Sequence, residues 1–118
     1  HLDHEGPEAR VKGSQMVKEF ALEFDMPTVV TGDFNFKKDT DLYAGMIGEG
    51  LRDTQDSTED TMTGKTYHAY EGGEEGLPID FIFVNDQISE VIKYRIVRDT
   101  YKGKMSSDHY PVYADLKF

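Results

Sequence analysis

Five polar residues of this 118-residue chain stand directly beside apolar runs that read as strands. They are Asp33 and Asn35 in Thr31-Gly32-Asp33-Phe34-Asn35, Asp80 in Ile79-Asp80-Phe81-Ile82-Phe83-Val84, and Asp108 and His109 in Ser107-Asp108-His109-Tyr110-Pro111-Val112. Carboxylates, a carboxamide and an imidazole brought together at strand ends are the groups that handle a metal ion and a phosphate. The set reads as part of a metal-dependent phosphoesterase site. Because the chain begins on His1, the remainder of such a site is expected to lie outside it.

Asp33 and Asn35 are two residues apart, so in extended backbone their side chains share a side. The amide can then hold a water by hydrogen bonds while the carboxylate takes its proton. A turn is the competing reading, since Gly-Asp and Asn are common turn residues. Asp108 and His109 precede a strand and, as neighbours on extended backbone, point apart; one can face a cation and the other an anionic oxygen. A surface loop is the competing reading there. Asp80 decides between these alternatives: a carboxylate in an otherwise apolar run costs several kcal/mol (~2–5) unless it is paired. A histidine held by it would be oriented and favoured in its charged form.

The elements that must position these groups follow from periodicity. Ala9, Met16, Val17, Phe20, Ala21 and Phe24 fall mostly at helical steps and predict a helix over 8–24, started by Gly6-Pro7 and closed before Pro27. Thr28-Val29-Val30-Thr31 predicts a strand buried on both faces, and residues 39–47 a second, shorter helix capped by Asp39, Thr40 or Asp41. Residues 53–65 read as loop, 66–70 as a strand, 71–76 as a glycine-rich turn. Strands are predicted at 78–85, 91–97 and 110–118, the last with Val112, Ala114 and Leu116 alternating against Tyr113, Asp115 and Lys117. Gly13 is a weak point in the first helix, costing about 1 kcal/mol relative to Ala. The chain opens at what reads as the end of a strand, so the order is β-α-β-α and then several strands. The fold class is α/β (α+β), a mixed β-sheet with helices on one face.

Composition limits the partners. Apolar residues make up 37%, with seven Tyr and seven Phe, enough for the core of one domain or a piece of one. Asp and Glu number 23 against 13 Lys and Arg, a formal charge of −10, which opposes a broad grip on nucleic-acid backbone. A bound divalent cation can still reverse the field at one cleft. There is no Cys, which removes disulfides and thiolate metal sites and leaves the compartment open. No apolar run approaches the roughly 18–20 residues of a membrane-spanning helix.

Taken in order, His1-Leu2-Asp3-His4 and the three segments above resemble the endonuclease/exonuclease/phosphatase superfamily. That family includes deoxyribonuclease I-like nucleases, apurinic endonucleases, inositol polyphosphate phosphatases, neutral sphingomyelinases and deadenylases. The resemblance implies that residues 1–118 are the C-terminal part of a domain whose N-terminal half is absent, and that they form half of a four-layer α/β/β/α sandwich. It implies a hydrolase, of nuclease or phosphatase type, that cleaves a phosphodiester or phosphomonoester by in-line attack of an activated water. His1 would contact the scissile phosphate or protonate a leaving oxygen; Asp33 would orient or deprotonate the water with Asn35 beside it. Asp108 would help hold Mg²⁺, for which Mn²⁺ can substitute, while His109 stabilises charge on the phosphate and Asp80 fixes its ring. Asn35 and His109 would touch substrate, and His68 would lie near the cleft or on a surface strand; Asp3 and His4 are expected to be structural.

The main metal-binding glutamate of the family belongs to the missing half, so the chain by itself is expected to be inactive. Pro78 stands where nucleic-acid-processing relatives often carry a basic residue. Substrates are expected among phosphorylated small molecules, lipid headgroups or nucleic acids, with small molecules ahead of DNA because of the acidic charge. Half a sandwich should also expose an apolar sheet face and self-associate. The competing reading from another class is a non-catalytic module that keeps the fold and binds a partner.

Overall fold

The computed structural model describes residues 1–118. Its elements in chain order are α1 (Pro7–Leu22), β1 (Val29–Asp33), α2 (Asp41–Met46), β2 (Leu51–Asp53), a 3₁₀ turn (Thr54–Asp56), β3 (Asp80–Asn85), β4 (Glu90–Ile96) and β5 (Val112–Lys117). β3 is the centre of a three-stranded sheet of order β1-β3-β2, and β4 and β5 form a second, two-stranded sheet. Pairing is antiparallel in both.

The period-two alternation of β3 builds the layers. Phe81 and Phe83 turn to one face, where they pack with Phe34, Phe36, Leu51 and the α2 residues Tyr43 and Met46. Ile82 turns to the other face and packs with Tyr94, Ile96 and Tyr110, while Val84 packs with Ile88 and Val91. Helices, the first sheet and the second sheet thus stack in that order, and helices cover one face only, as the sequence predicts. Phe81 and Phe83 are 2% and 0% exposed, and burial of each such side chain contributes about 2 kcal/mol. This double-sided burial of β3 makes its first residue, Asp80, a rigid mount.

α1 starts at Pro7, whose missing N–H and fixed φ suit a first helical position. It ends at Leu22, short of Phe24, where the Glu23 amide tightens onto the Phe20 carbonyl. Its buried side is Ser14, Val17 and Ala21; Met16 and Phe20 stay 61% and 63% exposed beside the free edge of β1. β1 accordingly departs from the expected strand buried on both faces, with Val29 and Thr31 exposed. α2 is capped by Thr40, whose Oγ1 accepts the Tyr43 amide at 3.3 Å. The glycine in α1 has a use: a Cβ at Gly13 would come within 3.0 Å of Leu2, so the missing side chain lets residues 1–4 lie against the helix.

Three segments differ from expectation. Residues 1–4 form no strand; the Leu2 amide instead donates to the Asp33 carbonyl at the end of β1. Asp53, Thr54 and Gln55 are buried, not loop: Asp53 ends β2 and accepts the Tyr43 hydroxyl at 2.7 Å. The run 66–70 forms only one bridge, Tyr67 with His109, because Ala69 and Tyr70 both take positive φ and turn the chain away. The alternation expected for β5 is present, with Val112, Ala114 and Leu116 the more buried set.

Candidate active site

The antiparallel register places Asp33, the last residue of β1, directly opposite Asp80, the first residue of β3. Like charges facing each other across a ladder repel. His109 resolves the conflict from the approach to β5. Its Nδ1 lies 2.7 Å from Asp80 Oδ2 and its Nε2 lies 3.6 Å from Asp33 Oδ2. Burial pulls the His109 pKa down, but the hydrogen bond and charge of Asp80, with the charges of Asp33 and Asp108, outweigh it and raise the value above 6.5. The imidazole sits between two carboxylates, which favour its charged form.

Main-chain bonds fix each member. The amides of Ile79 and Asp80 both donate to Oγ1 of the fully buried Thr66, at 3.0 and 3.2 Å. The Asp108 carbonyl accepts the amides of His68 and Ala69, and the Tyr110 amide donates to the Thr66 carbonyl at 2.7 Å. The His109 amide donates to Ser107 Oγ. Asp33 Oδ1 accepts the Asn35 amide at 2.9 Å, and Asn35 has φ 54°, so the two residues form a tight turn rather than an extended pair. The Asn35 carboxamide donates to the Leu2 carbonyl. Through that bond the carboxamide anchors residues 1–4.

That anchorage brings His1 in: its Nε2 is 3.4 Å from Asp33 Oδ2. His1, His4, Asp33, Asn35, Tyr67, Ile79, Asp108 and His109 together line a cleft of about 380 Å³. Asp108 and His109 do not point apart. The segment 106–108 bends ahead of β5, and Asp108 Oδ1 comes to 4.0 Å from His109 Nε2. His4, expected to be structural, lines the cleft, whereas His68 does not. His68 is 3% exposed, its Nδ1 accepts the Tyr70 amide, and its ring packs on Tyr110 with centroids 4.2 Å apart. It is a core histidine and not on a surface strand, because the turn at 69–70 folds it inward. Thr66 and Tyr67 escaped sequence reasoning; nothing in a Thr-Tyr pair marks it until His109 is paired against it.

Asp33, Asp80 and His109 bring ligating atoms within 4.8 Å of one another. The trio suits a proton network better than a Mg²⁺ cage, since Mg²⁺ prefers oxygen and a ligating imidazole must be neutral. Asp108 fits the ion: its side chain is 43% exposed on the cleft, with a long 3.5 Å contact from Ser107 and the His109 ring nitrogen at 4.0 Å. Mg²⁺ characteristically takes one or two carboxylates and fills the rest of its shell with water and phosphate oxygens.

The family model for the endonuclease/exonuclease/phosphatase family matches residues 6–109, and the chain belongs to that family. No curated protein matches it. Among solved structures it is similar to an endonuclease/exonuclease/phosphatase family protein from Bacteroides thetaiotaomicron, with TM-score 0.86 and 29% identity over 98% of this chain and 46% of that one. A mannosyl-6-phosphatase from the same organism gives TM-score 0.86 and 29% identity over 100% and 49%. A family member from Bacteroides vulgatus gives 0.81 and 32% over 99% and 47%. The chain spans about half the length of these relatives.

Proposed function

We propose that the chain carries part of the active site of a Mg²⁺-dependent phosphoesterase. In this reading it is the C-terminal part of a domain about twice its length, and the rest supplies the principal metal-binding glutamate. The observation that carries it is His109 held between Asp80 and Asp33 on the wall of a cleft that also contains Asp108 and His1. Hydrolysis of a phosphate ester adds negative charge to oxygens that already bear it, so cationic donors must meet that charge as it develops.

Asp33 Oδ2, facing the ring nitrogens of both His1 and His109, is the base that holds and deprotonates the attacking water. His109, oriented by Asp80, which favours its charged form, donates to a phosphate oxygen; His1 contacts the same phosphate or protonates the leaving oxygen. Asn35 acts at one remove by tying residues 1–4 to the site. When bound, Mg²⁺ supplies positive charge at the phosphate, and Asp108 would hold it. The description of one relative as a mannosyl-6-phosphatase supports small phosphomonoesters ahead of nucleic acid, as does the net charge of −10. Self-association is part of the same reading, supported by the free edge of β1 and the exposed Met16, Phe20, Phe24 and Val29 beside it.

The test is release of p-nitrophenol from p-nitrophenyl phosphate and its bis ester, with Mg²⁺ or Mn²⁺, by this chain and by a form extended to the length of the relatives. Activity in the extended form alone is expected. Inactivity of both would remove the enzyme and leave a binding module.

A further inference from the structure

We infer that His68 is a positioning residue for Asp108 and His109, acting through the main chain by locking the turn from which both are hung. This rests on the phosphoesterase reading and goes beyond it by giving a role to a buried histidine that does not line the cleft. Asp108 and His109 lie ahead of β5, which begins only at Val112, so neither sheet holds them. They hang on residues 66–69 instead. The Tyr110 amide donates to the Thr66 carbonyl, Tyr67 bridges to His109, and the amides of His68 and Ala69 both donate to the Asp108 carbonyl, at 2.9 and 3.3 Å. Whatever fixes 66–69 therefore fixes the two site residues.

At one end Thr66 ties the segment to the start of β3. At the other end stands a strained turn: the Glu71 amide donates to the His68 carbonyl at 2.8 Å, and Ala69 and Tyr70 between them take φ of 52° and 63°. Two successive positive φ angles are the form for which Asn-Gly is preferred, and neither Ala nor Tyr adopts it without cost. Such strain persists only where the surroundings over-determine it. His68 supplies that constraint. Its Nδ1 accepts the Tyr70 amide at 3.1 Å, the bond that an Asn or Asp at the first position of a turn makes with the amide two residues on. Its buried ring is held in place by Tyr110, with centroids 4.2 Å apart, and the Tyr110 hydroxyl donates to the Gly73 carbonyl behind the turn at 2.8 Å. A phenyl ring would fill the same space, but only the ring nitrogen reaches the turn. Without it the Tyr70 amide loses its acceptor and the turn relaxes, taking with it the Ala69 amide that is the second donor to the Asp108 carbonyl.

The experiment follows two NMR signals of the chain, with urea denaturation alongside. One is the ring N–H proton of His109 that its bond to Asp80 protects from exchange, observed without metal. The other is the broadening of the carbon-bound ring protons of His109 by added Mn²⁺, which reports an ion seated at the neighbouring Asp108. His68→Asn, which places an amide oxygen where Nδ1 stands, should keep both. His68→Phe, which keeps a ring and loses the acceptor, should lose the N–H signal to exchange and weaken Mn²⁺ binding about fivefold or more. Adding Ala69→Gly to His68→Phe should recover part of both, because glycine takes positive φ without strain. Both signals unchanged in His68→Phe, with only the urea midpoint lowered, overturns the inference and leaves His68 as packing. Equal loss in His68→Asn and His68→Phe also overturns it, since the ring and not its acceptor would then hold the turn. Should His68→Phe not fold, His68→Gln, whose amide oxygen lies one atom further out, takes its place in the comparison with His68→Asn. If the unsubstituted chain shows the N–H signal but no Mn²⁺ broadening, the metal reading fails and the N–H signal alone decides the inference. Absence of both signals removes this inference together with the reading beneath it.

Discussion

At the scale of single residues, the site is organised by an electrostatic conflict. Two carboxylates opposite each other across a strand pair would repel by on the order of 4 kcal/mol at ~4 Å and an effective dielectric of 20. His109, whose charged form both carboxylates favour, lies where it can offset that repulsion. Asp80→Asn removes the stronger of its two partners. In the chain, the NMR-titrated pKa of His109 should fall from its raised value toward or below 6.5. In an active, extended form, turnover should fall by about 10² or more with little change in substrate binding. An unmoved pKa would refute the pairing. The sign of the stability effect follows from linkage: a pKa raised by folding stabilises fully below the unfolded value of about 6.5, and that contribution disappears as pH rises through the folded value. Denaturation midpoints of the chain and of His109→Gln should therefore differ most below the unfolded value of about 6.5 and draw together as pH rises through the folded one. A gap that widened with pH would show that the folded imidazole prefers to be neutral.

At the scale of elements, β3 does most of the positioning, and its first turn hangs on one buried hydroxyl. Thr66→Val preserves shape but leaves the Ile79 and Asp80 amides without their acceptor. Stability should fall by about 1–3 kcal/mol, read from urea denaturation, and the His109 titration should broaden or shift as Asp80 loses its seat. No change in either would mean that water replaces the hydroxyl without cost. Here the sequence is readable where a strand is an apolar run or alternates, and ambiguous where polar groups are buried. The alternation in β5 and the run in β3 predict their strands, whereas β2 hides in Leu51-Arg52-Asp53 because its buried polar end, Asp53, satisfied by Tyr43 and Gln55, looks like loop. The α1 periodicity is correct but its apolar residues serve two surfaces, the core through Val17 and Ala21 and an open groove through Met16 and Phe20.

At the scale of the whole molecule, charge and exposed surface set the behaviour. A ligand that binds only the folded state raises its stability, so Mg²⁺ should raise the melting temperature of the chain above that in NaCl of equal ionic strength. Asp108→Asn should abolish the excess; an excess that persists would assign the ion to other carboxylates. The free edge of β1 and the apolar groove beside it should drive concentration-dependent association. Sedimentation should show larger species that Phe20→Lys reduces, and a monomer at all concentrations would refute self-association.

By itself the sequence determined the family-like order of Asp33, Asn35, Asp80, Asp108 and His109, the strands that end or begin beside them, and the charge that disfavours nucleic acid. These are properties of residue type, spacing and period, which are local. Only tertiary structure decided which of those residues touch. The register that sets Asp33 against Asp80, the turn that gives the Asn35 amide to Leu2, the inward fold of His68 and the seating of Tyr67 beside His109 all come from contacts between segments tens of residues apart. Local preference cannot encode such contacts, because each depends on where another part of the chain has been packed.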